Sequence, residues 1–263
     1  MNDLSHLHTF VIAAYGESPY LEDCIKSVQN QSCKSTVLIT TSTPSAYIET
    51  LANKYCLPLQ INPNGGSIGK DWNFALQAAT TDYVTIAHQD DLYQPEYTEK
   101  HVTALLQYQA YNPLIAFGKS EVYNNRNKPV NFPFKNFLRW WLIFPFHFKR
   151  CINSVFIKKS ILLFSNSISC PGVCFAKRNL QRFCFNEKRK YILDWEAWYE
   201  MSQVEGAFVY VNYVSHIHRE HEESATSTTQ LSILQHEELE LLKTIWKNRI
   251  IPNLIVRLLS AAK

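Results

Sequence analysis

The chain has 263 residues, 46% of them hydrophobic and 19% charged, a balance that supports a folded core and excludes intrinsic disorder. A net charge of +3 is too small to argue for nucleic acid, and no basic cluster is interleaved with stacking aromatics as in a nucleic-acid module. Met1 to His6 holds no basic, apolar signal pattern, and no uncharged apolar run is long enough to span a bilayer, so a cytoplasmic protein is expected.

Elements follow in a regular alternation. His8 to Ala14 is a short apolar run, as expected of a strand buried on both faces of a parallel sheet. Ser18-Pro19 predicts an N-cap and a first-turn proline, followed by a helix with Leu21, Cys24, Ile25 and Val28 at helical spacing. Thr36 to Thr40 is the second strand, and Thr43-Pro44 again predicts a cap and a first-turn proline. Ile48, Leu51, Ala52 and Tyr55 mark the second helix, and Leu59 to Ile61 the third strand. The turn Asn62 to Gly66 leads into a helix through Trp72, Ala75, Leu76 and Ala79. Tyr83 to Ala87 is the fourth strand, and it ends abruptly in His88-Gln89-Asp90-Asp91.

This βαβαβαβ order implies a parallel sheet with right-handed crossovers and a site along the carboxyl ends of its strands. The four polar loops there can converge on one nucleotide-sized ligand. Gly65-Gly66-Ser67 could offer backbone amides to an anion at a helix start, with Lys70 one turn in, although most Gly-Gly pairs are merely turns. Adjacent carboxylates at a strand end suit a hard divalent cation, although Asp is also common in solvated turns.

Beyond Pro95 the pattern predicts a helix over Glu96 to Tyr108 and a strand over Leu114 to Val122. Phe132, Phe134, Phe137, Trp140, Trp141, Phe144, Phe146 and Phe148 are then interleaved with Lys135, Arg139, Lys149 and Arg150. Two readings stand: a segment resting on an anionic membrane, or a flap whose aromatics pack on the core or over the acceptor. Pro133 and Pro145 interrupt a long helix and favour the flap. Val173 to Ala176 predicts a strand, Ile192 to Tyr199 the start of a helix, and Ala207 to Val214 another strand. His216 to His221 reads as a loop, with His216 and His218 a water-exposed pair and no separate zinc site. From about Thr228 the pattern is helical. The seven cysteines are odd in number, and Cys170-Pro-Gly-Val-Cys174 lacks a matching half, so reduced, mostly buried thiols are expected.

Four blocks in order resemble the inverting family 2 glycosyltransferases of the GT-A fold, the bacterial kind that build capsule, O-antigen and lipopolysaccharide. Phe10 to Tyr15 with Tyr20 to Gln31 is similar to the family's opening strand and helix. Asn64-Gly65-Gly66 with Asn73, then Tyr83 to Asp91, is similar to the nucleotide-sugar half and its metal motif. Leu193 to Trp198 resembles the late acidic motif whose Asp is the catalytic base. His218-Arg219 through His221, Ser224 and Thr226 resembles the loop that closes over the diphosphate.

The resemblance implies a Rossmann-like α/β fold with a mostly parallel central sheet flanked by helices. It implies a GT-A domain over 1–226, with a nucleotide-sugar half to about 95, an acceptor half from about 96, and C-terminal helices over 227–263. It implies Asp194 as base, and Asp90, Asp91 and His221 as ligands for Mn²⁺ or Mg²⁺. Donor contacts are expected from Ala13, Tyr15, Glu17, Thr41, Asn64, Gly65, Lys70, His88, Gln89 and Arg219. The implied donor is a nucleotide sugar, UDP favoured, and the implied acceptor a glycan or lipid-linked saccharide, with peripheral contact to the inner face of the plasma membrane.

The sequence departs from the family pattern at three places. Thr40-Thr41-Ser42-Thr43 stands where Asp-Asp-Gly-Ser is usual, His88 replaces the first Asp of the metal motif, and Trp72 replaces an Arg before Asn73. They motivate an alternative, a degenerate GT-A domain that binds sugar nucleotide or glycan without catalysis. A nucleotidyltransferase would show a longer Gly-rich phosphate loop than Gly16-Glu17 provides.

Overall fold

A computed structural model describes residues 3–124, 126, 128–220, 230–248 and 250–261. In chain order the elements are β1 (His8–Ala14), α1 (Leu21–Gln29), β2 (Thr36–Thr41), α2 (Ala46–Lys54), β3 (Leu59–Ile61), α3 (Ile68–Ala78), β4 (Tyr83–His88), β5 (Leu92–Tyr93) and α4 (Tyr97–Gln107). There follow β6 (Pro113–Asn124), β7 (Pro129–Val130), α5 (Pro133–Leu142), α6 (Pro145–Phe148), β8 (Cys151–Ile152), α7 (Val155–Ser160), β9 (Val173–Ala176), α8 (Leu193–Gln203), β10 (Ala207–Glu220), α9 (Leu231–Trp246) and α10 (Ile250–Ala261).

The sheet runs β3-β2-β1-β4-β9-β6-β10-β5. Its first four strands are parallel, as their apolar runs predict. Beyond β4 it is mixed: β9 runs antiparallel to β4 and β6, β6 and β10 are parallel, and β5 runs antiparallel to β10. Alternation along β1 sends Phe10, Ile12 and Ala14 to a core under α1 and α2, and Val11 to the larger core that holds Ala75, Phe175 and Trp198. Leu241 and Leu242 of α9 join that larger core.

Two helix starts differ from the sequence reading. α1 begins at Leu21, after an uncapped Tyr20, because Ser18 accepts the Tyr20 N–H on its hydroxyl and the Leu21 N–H on its carbonyl. α2 is capped by Ser45, which accepts from Ile48 N, while the Thr43 hydroxyl accepts the Gly16 N–H at 2.7 Å. The expected cap residues tie loops together instead.

The larger correction concerns β10. It continues to Glu220 rather than stopping at Val214, paired with β6 along its length and with β5 at His216 and Ile217. His216 is fully buried and His218 is half-buried, so only His218 keeps contact with water and the two are not an exposed pair. All seven cysteines are free thiols, and five are buried.

Candidate donor and metal site

Register places the functional loops side by side. Ala13 pairs with His88 and Ala14 with Thr41, so β1, β2 and β4 end at one level. Above them lies a cleft of about 630 Å³. Its lining includes Ala13, Tyr15 and Glu17 from the β1 loop, Ser67, Asp71 and Trp72 from the start of α3, and His88, Gln89 and Asp90 from the end of β4. Such a volume accommodates a nucleotide-sized ligand.

Gln89 locks two of these loops. Its Oε1 accepts the Tyr15 N–H and its Nε2 donates to the Tyr15 carbonyl, both at 2.9 Å. The His88 ring lies under Trp72, with centroids 5.0 Å apart. Burial holds the His88 imidazole below its usual pKa, although Asp91 and Asp90 oppose that shift, so the ring is a neutral ligand type.

Asp91 is fully buried, and β10 explains why it tolerates that. Its Oδ1 accepts from His218 Nδ1 at 2.9 Å and from the Arg219 N–H at 3.1 Å. Burial works to raise its pKa, but His218 outweighs it, and the carboxyl falls to about 2. The Asp91 charge in turn raises His218 to about 9, so the two form an ion pair at neutral pH.

One donor atom each from His88, Asp90 and Asp91 lie within 4.8 Å of one another. His88 Nε2 and Asp91 Oδ2 are buried without a hydrogen-bond partner among the described residues. Orphaned buried acceptors are costly, and a shared divalent cation would satisfy both. The residues therefore fit a metal. His221, the third expected ligand, lies outside the described residues, as do Ser224 and Thr226.

Several expected donor contacts are placed elsewhere. Arg219 is almost fully buried and stands beside α1, not in the cleft: Nη1 donates to Asp23 at 3.0 Å, Nε to the Asp90 carbonyl at 2.7 Å, and the guanidinium lies over Tyr20. It braces the metal loop from behind. Thr41 is buried and accepts the Thr43 N–H. Lys70 is not among the cleft-lining residues of α3. Asn64 and Gly65 sit in the turn before α3, where a Cβ at Gly65 would meet the Ser42 Cβ at 2.2 Å; close packing of that turn on the β2 loop requires the glycine.

Asp71 has no counterpart in the sequence reading. It lines the cleft, and its two oxygens accept from Ser42 Oγ at 2.9 Å and Asn62 Nδ2 at 2.8 Å. Residues from the ends of β2 and β3 thus fix a carboxylate beside the loop that lacks the usual acidic pair.

Asp194 sits in the first turn of α8, outside the cleft lining. Oδ1 accepts the Trp195 N–H at 2.8 Å, and Oδ2 accepts from Asn166 at 2.6 Å. Burial pushes its carboxyl up to about 6, against the opposing pull of those two bonds and of Arg139. Arg139, on α5, donates to Ser120 Oγ at 2.6 Å. The Cys170 thiol feels both acidic centres: burial, then the charges of Asp194 and Asp91, raise it well above its usual pKa.

The sequence profile for glycosyl transferase family 2 matches residues 9–168, more than half of the chain. The chain belongs to that family. Asp194 lies beyond the matched span. No curated protein matches. Among solved structures, Staphylococcus aureus TarS residues 1–349 in complex with UDP-GlcNAc superposes with a TM-score of 0.63 at 16% identity, over 90% of this chain and 66% of that one. This chain therefore spans just under two thirds of that 1–349 fragment, and 40% of the longer TarS chain. Glucosyl-3-phosphoglycerate synthase from Mycobacterium tuberculosis, in complex with Mg²⁺ and UDP, superposes with a TM-score of 0.55 at 14% identity, over 88% of this chain and 79% of that one. Both share the GT-A fold with this chain.

Proposed function

We propose that this protein is an inverting glycosyltransferase that moves a sugar from a nucleoside-diphosphate donor to a hydroxyl of a glycan or lipid-linked acceptor in cell-surface polysaccharide synthesis. One observation carries the reading: His88, Asp90 and Asp91 bring one ligand atom each within 4.8 Å, His88 and Asp91 each carry a buried polar atom without a partner among the described residues, and His88 and Asp90 line a nucleotide-sized cleft. UDP is the favoured carrier, supported by the UDP-containing complexes of proteins that share this fold.

His88, Asp90 and Asp91 would hold a divalent cation, which when bound offsets the diphosphate charge as it leaves. Ala13, Tyr15 and Glu17 line one wall for the donor, and Asp71 offers a fixed acceptor to a ribose hydroxyl or base N–H. Trp72 packs against the His88 ring and helps to fix its orientation. Asp194, aimed by Asn166 and the Trp195 amide, would take the acceptor proton as the new bond forms. A carboxyl near 6 remains ionised at neutral pH and is more basic than an exposed Asp. The family motif blocks support the surface-glycan role.

Thermal unfolding with UDP, dTDP, GDP and CMP, each with and without Mn²⁺, tests this. A ligand at about 100 times its Kd adds roughly 2.7 kcal/mol, a visible shift. Stabilisation by UDP that needs Mn²⁺ and is lost in His88→Ala is the expected outcome. Metal-independent shifts would remove the metal assignment, and no shift with any nucleotide would favour a degenerate domain.

A further inference from the structure

The reading above leaves α5 and α6 unused. Their inner face is core: Leu142, Ile143 and Phe146 are buried, and the Phe146 ring meets Phe117 at 5.1 Å and Tyr210 at 6.1 Å. Their outer face is different. Phe137, Trp140, Phe144 and Phe148 recur every three or four residues, so they align along one helical side. They are 62, 48, 42 and 78% exposed. Successive rings lie 6.2, 5.6 and 5.0 Å apart, an unbroken stripe. Large apolar patches of this kind are rare on proteins that meet only water.

Charge identifies what covers the stripe. Between Val122 and Asn186 the sequence holds eleven Lys or Arg and no Asp or Glu. Lys158 is used internally, donating to the Val204 and Gly206 carbonyls. Lys149, directly after Phe148, is exposed, as are Arg126 and Lys128 just before α5. A second copy of the same surface would set cations against cations with no carboxylate in the segment to offset them. An anionic bilayer offers the complement, phosphate charge outside and apolar depth below.

We infer that the α5–α6 stripe is a membrane-docking surface, its rings inserted at the headgroup boundary of an anionic bilayer and its flanking Lys and Arg on lipid phosphates. On the inner side of α5, Arg139 bonds Ser120 and interacts electrostatically with Asp194. A helix is about 10–12 Å thick, so docking of the outer stripe sets the thickness of α5 between the headgroups and the Arg139 side of the helix, which faces the electrostatic surroundings of the proposed base. The consequence rests on the transferase reading: the acceptor is a lipid-linked saccharide whose hydroxyl is presented at the interface.

The test is co-sedimentation of the full chain with phosphatidylglycerol vesicles and, in parallel, phosphatidylcholine vesicles. Salt-sensitive binding to the anionic vesicles alone is expected. Phe137→Ser/Trp140→Ser/Phe144→Ser/Phe148→Ser should lower the partition coefficient by on the order of tenfold or more while keeping the nucleotide-induced thermal shift. Phe148→Ser alone, at the most exposed ring, serves if the quadruple variant does not fold. Undiminished vesicle binding by these variants would place the contact elsewhere, for example at exposed Ile250, Leu254 and Leu258 of α10, and overturn the inference. So would a concentration-dependent dimer that the substitutions abolish. A parent that responds to UDP but ignores vesicles removes the docking surface and leaves the transferase. Vesicle binding without any nucleotide response keeps the surface and removes the lipid-linked acceptor.

Discussion

Asp194 receives one neutral donor at each oxygen, the Trp195 amide and the Asn166 side chain, and no direct cation. Burial therefore wins over stabilisation of the charge, and the carboxyl rises to about 6. A general base works only when deprotonated, so kcat/KM should be level above that pH and fall as pH drops through about 6. Asn166 favours the charged form, so Asn166→Ala should raise the Asp194 pKa and move the acid limb to higher pH. Asp194→Asn should lower kcat by roughly 10²–10⁴ and leave UDP affinity intact. pH–rate profiles of parent and Asn166→Ala decide the matter: identical acid limbs would separate the pH dependence from Asp194. The same scale shows what a motif hides. The proposed base, Asp194, is singled out by its motif, but the cleft residue Asp71 is not, because Ser42 and Asn62 reach it from 29 and 9 residues away.

Among the elements, α3 is held by the chain that crosses it near Asn186. Asn73 donates to the Phe185 carbonyl at 3.0 Å and accepts the Phe185 N–H at 2.7 Å, so the family Asn is a clamp on that crossing. At Gly69 a Cβ would stand 2.8 Å from Glu187 Cα and 2.9 Å from the Asn186 carbonyl oxygen. Neither backbone atom can rotate away, so Gly69→Ala should cost about 1–3 kcal/mol, read as a lower urea midpoint at unchanged m. A midpoint within error of the parent would show that the crossing yields freely. Elements such as β1, β2 and β4 were legible because strands buried on both faces read as apolar runs closed by turn residues. β10 was half legible. Its second half carries Ser215, His216, His218 and Arg219, which suggest a solvated loop, yet β5 and β6 pair with its backbone and Asp91 receives His218. Periodicity reports burial against apolar neighbours and is silent where the buried partner is a carboxylate. The aromatic segment divides the same way: Leu142, Ile143 and Phe146 pack on the core as a flap would, while the outer stripe does not.

For the whole molecule, buried histidines set the acid limit of stability. His8, between Ser35 Oγ and Thr85 Oγ1, is held at a pKa of about 3 by burial and by His101. Burial likewise holds His101, which contacts the Tyr97 carbonyl and Ser215 Oγ, at about 4, and His216 at about 3. Each has a folded-state pKa below its unfolded value of 6.5, so below that pH the unfolded chain binds protons that the native chain refuses. Stability is then fully present above about pH 6.5 and is lost as pH falls toward the folded-state values. By about pH 5 the loss is roughly 2 kcal/mol for each histidine, a large share of the 5–15 kcal/mol that typically separates native from unfolded domains. Carboxylates near their usual pKa add little in that window, while His218, raised to about 9, and Asp194, raised to about 6, bind protons in the native state and offset part of the loss, so the net decline is smaller than the sum over the three histidines. Urea midpoints taken stepwise from about pH 7.5 to pH 5 should fall, and His8→Gln should make the slope shallower by about one proton whatever it does to stability at pH 7.5. A flat midpoint across that range would mean that the histidines titrate in the native state, and that their burial is weaker than the packing around Thr85, Tyr97 and Ser215 indicates.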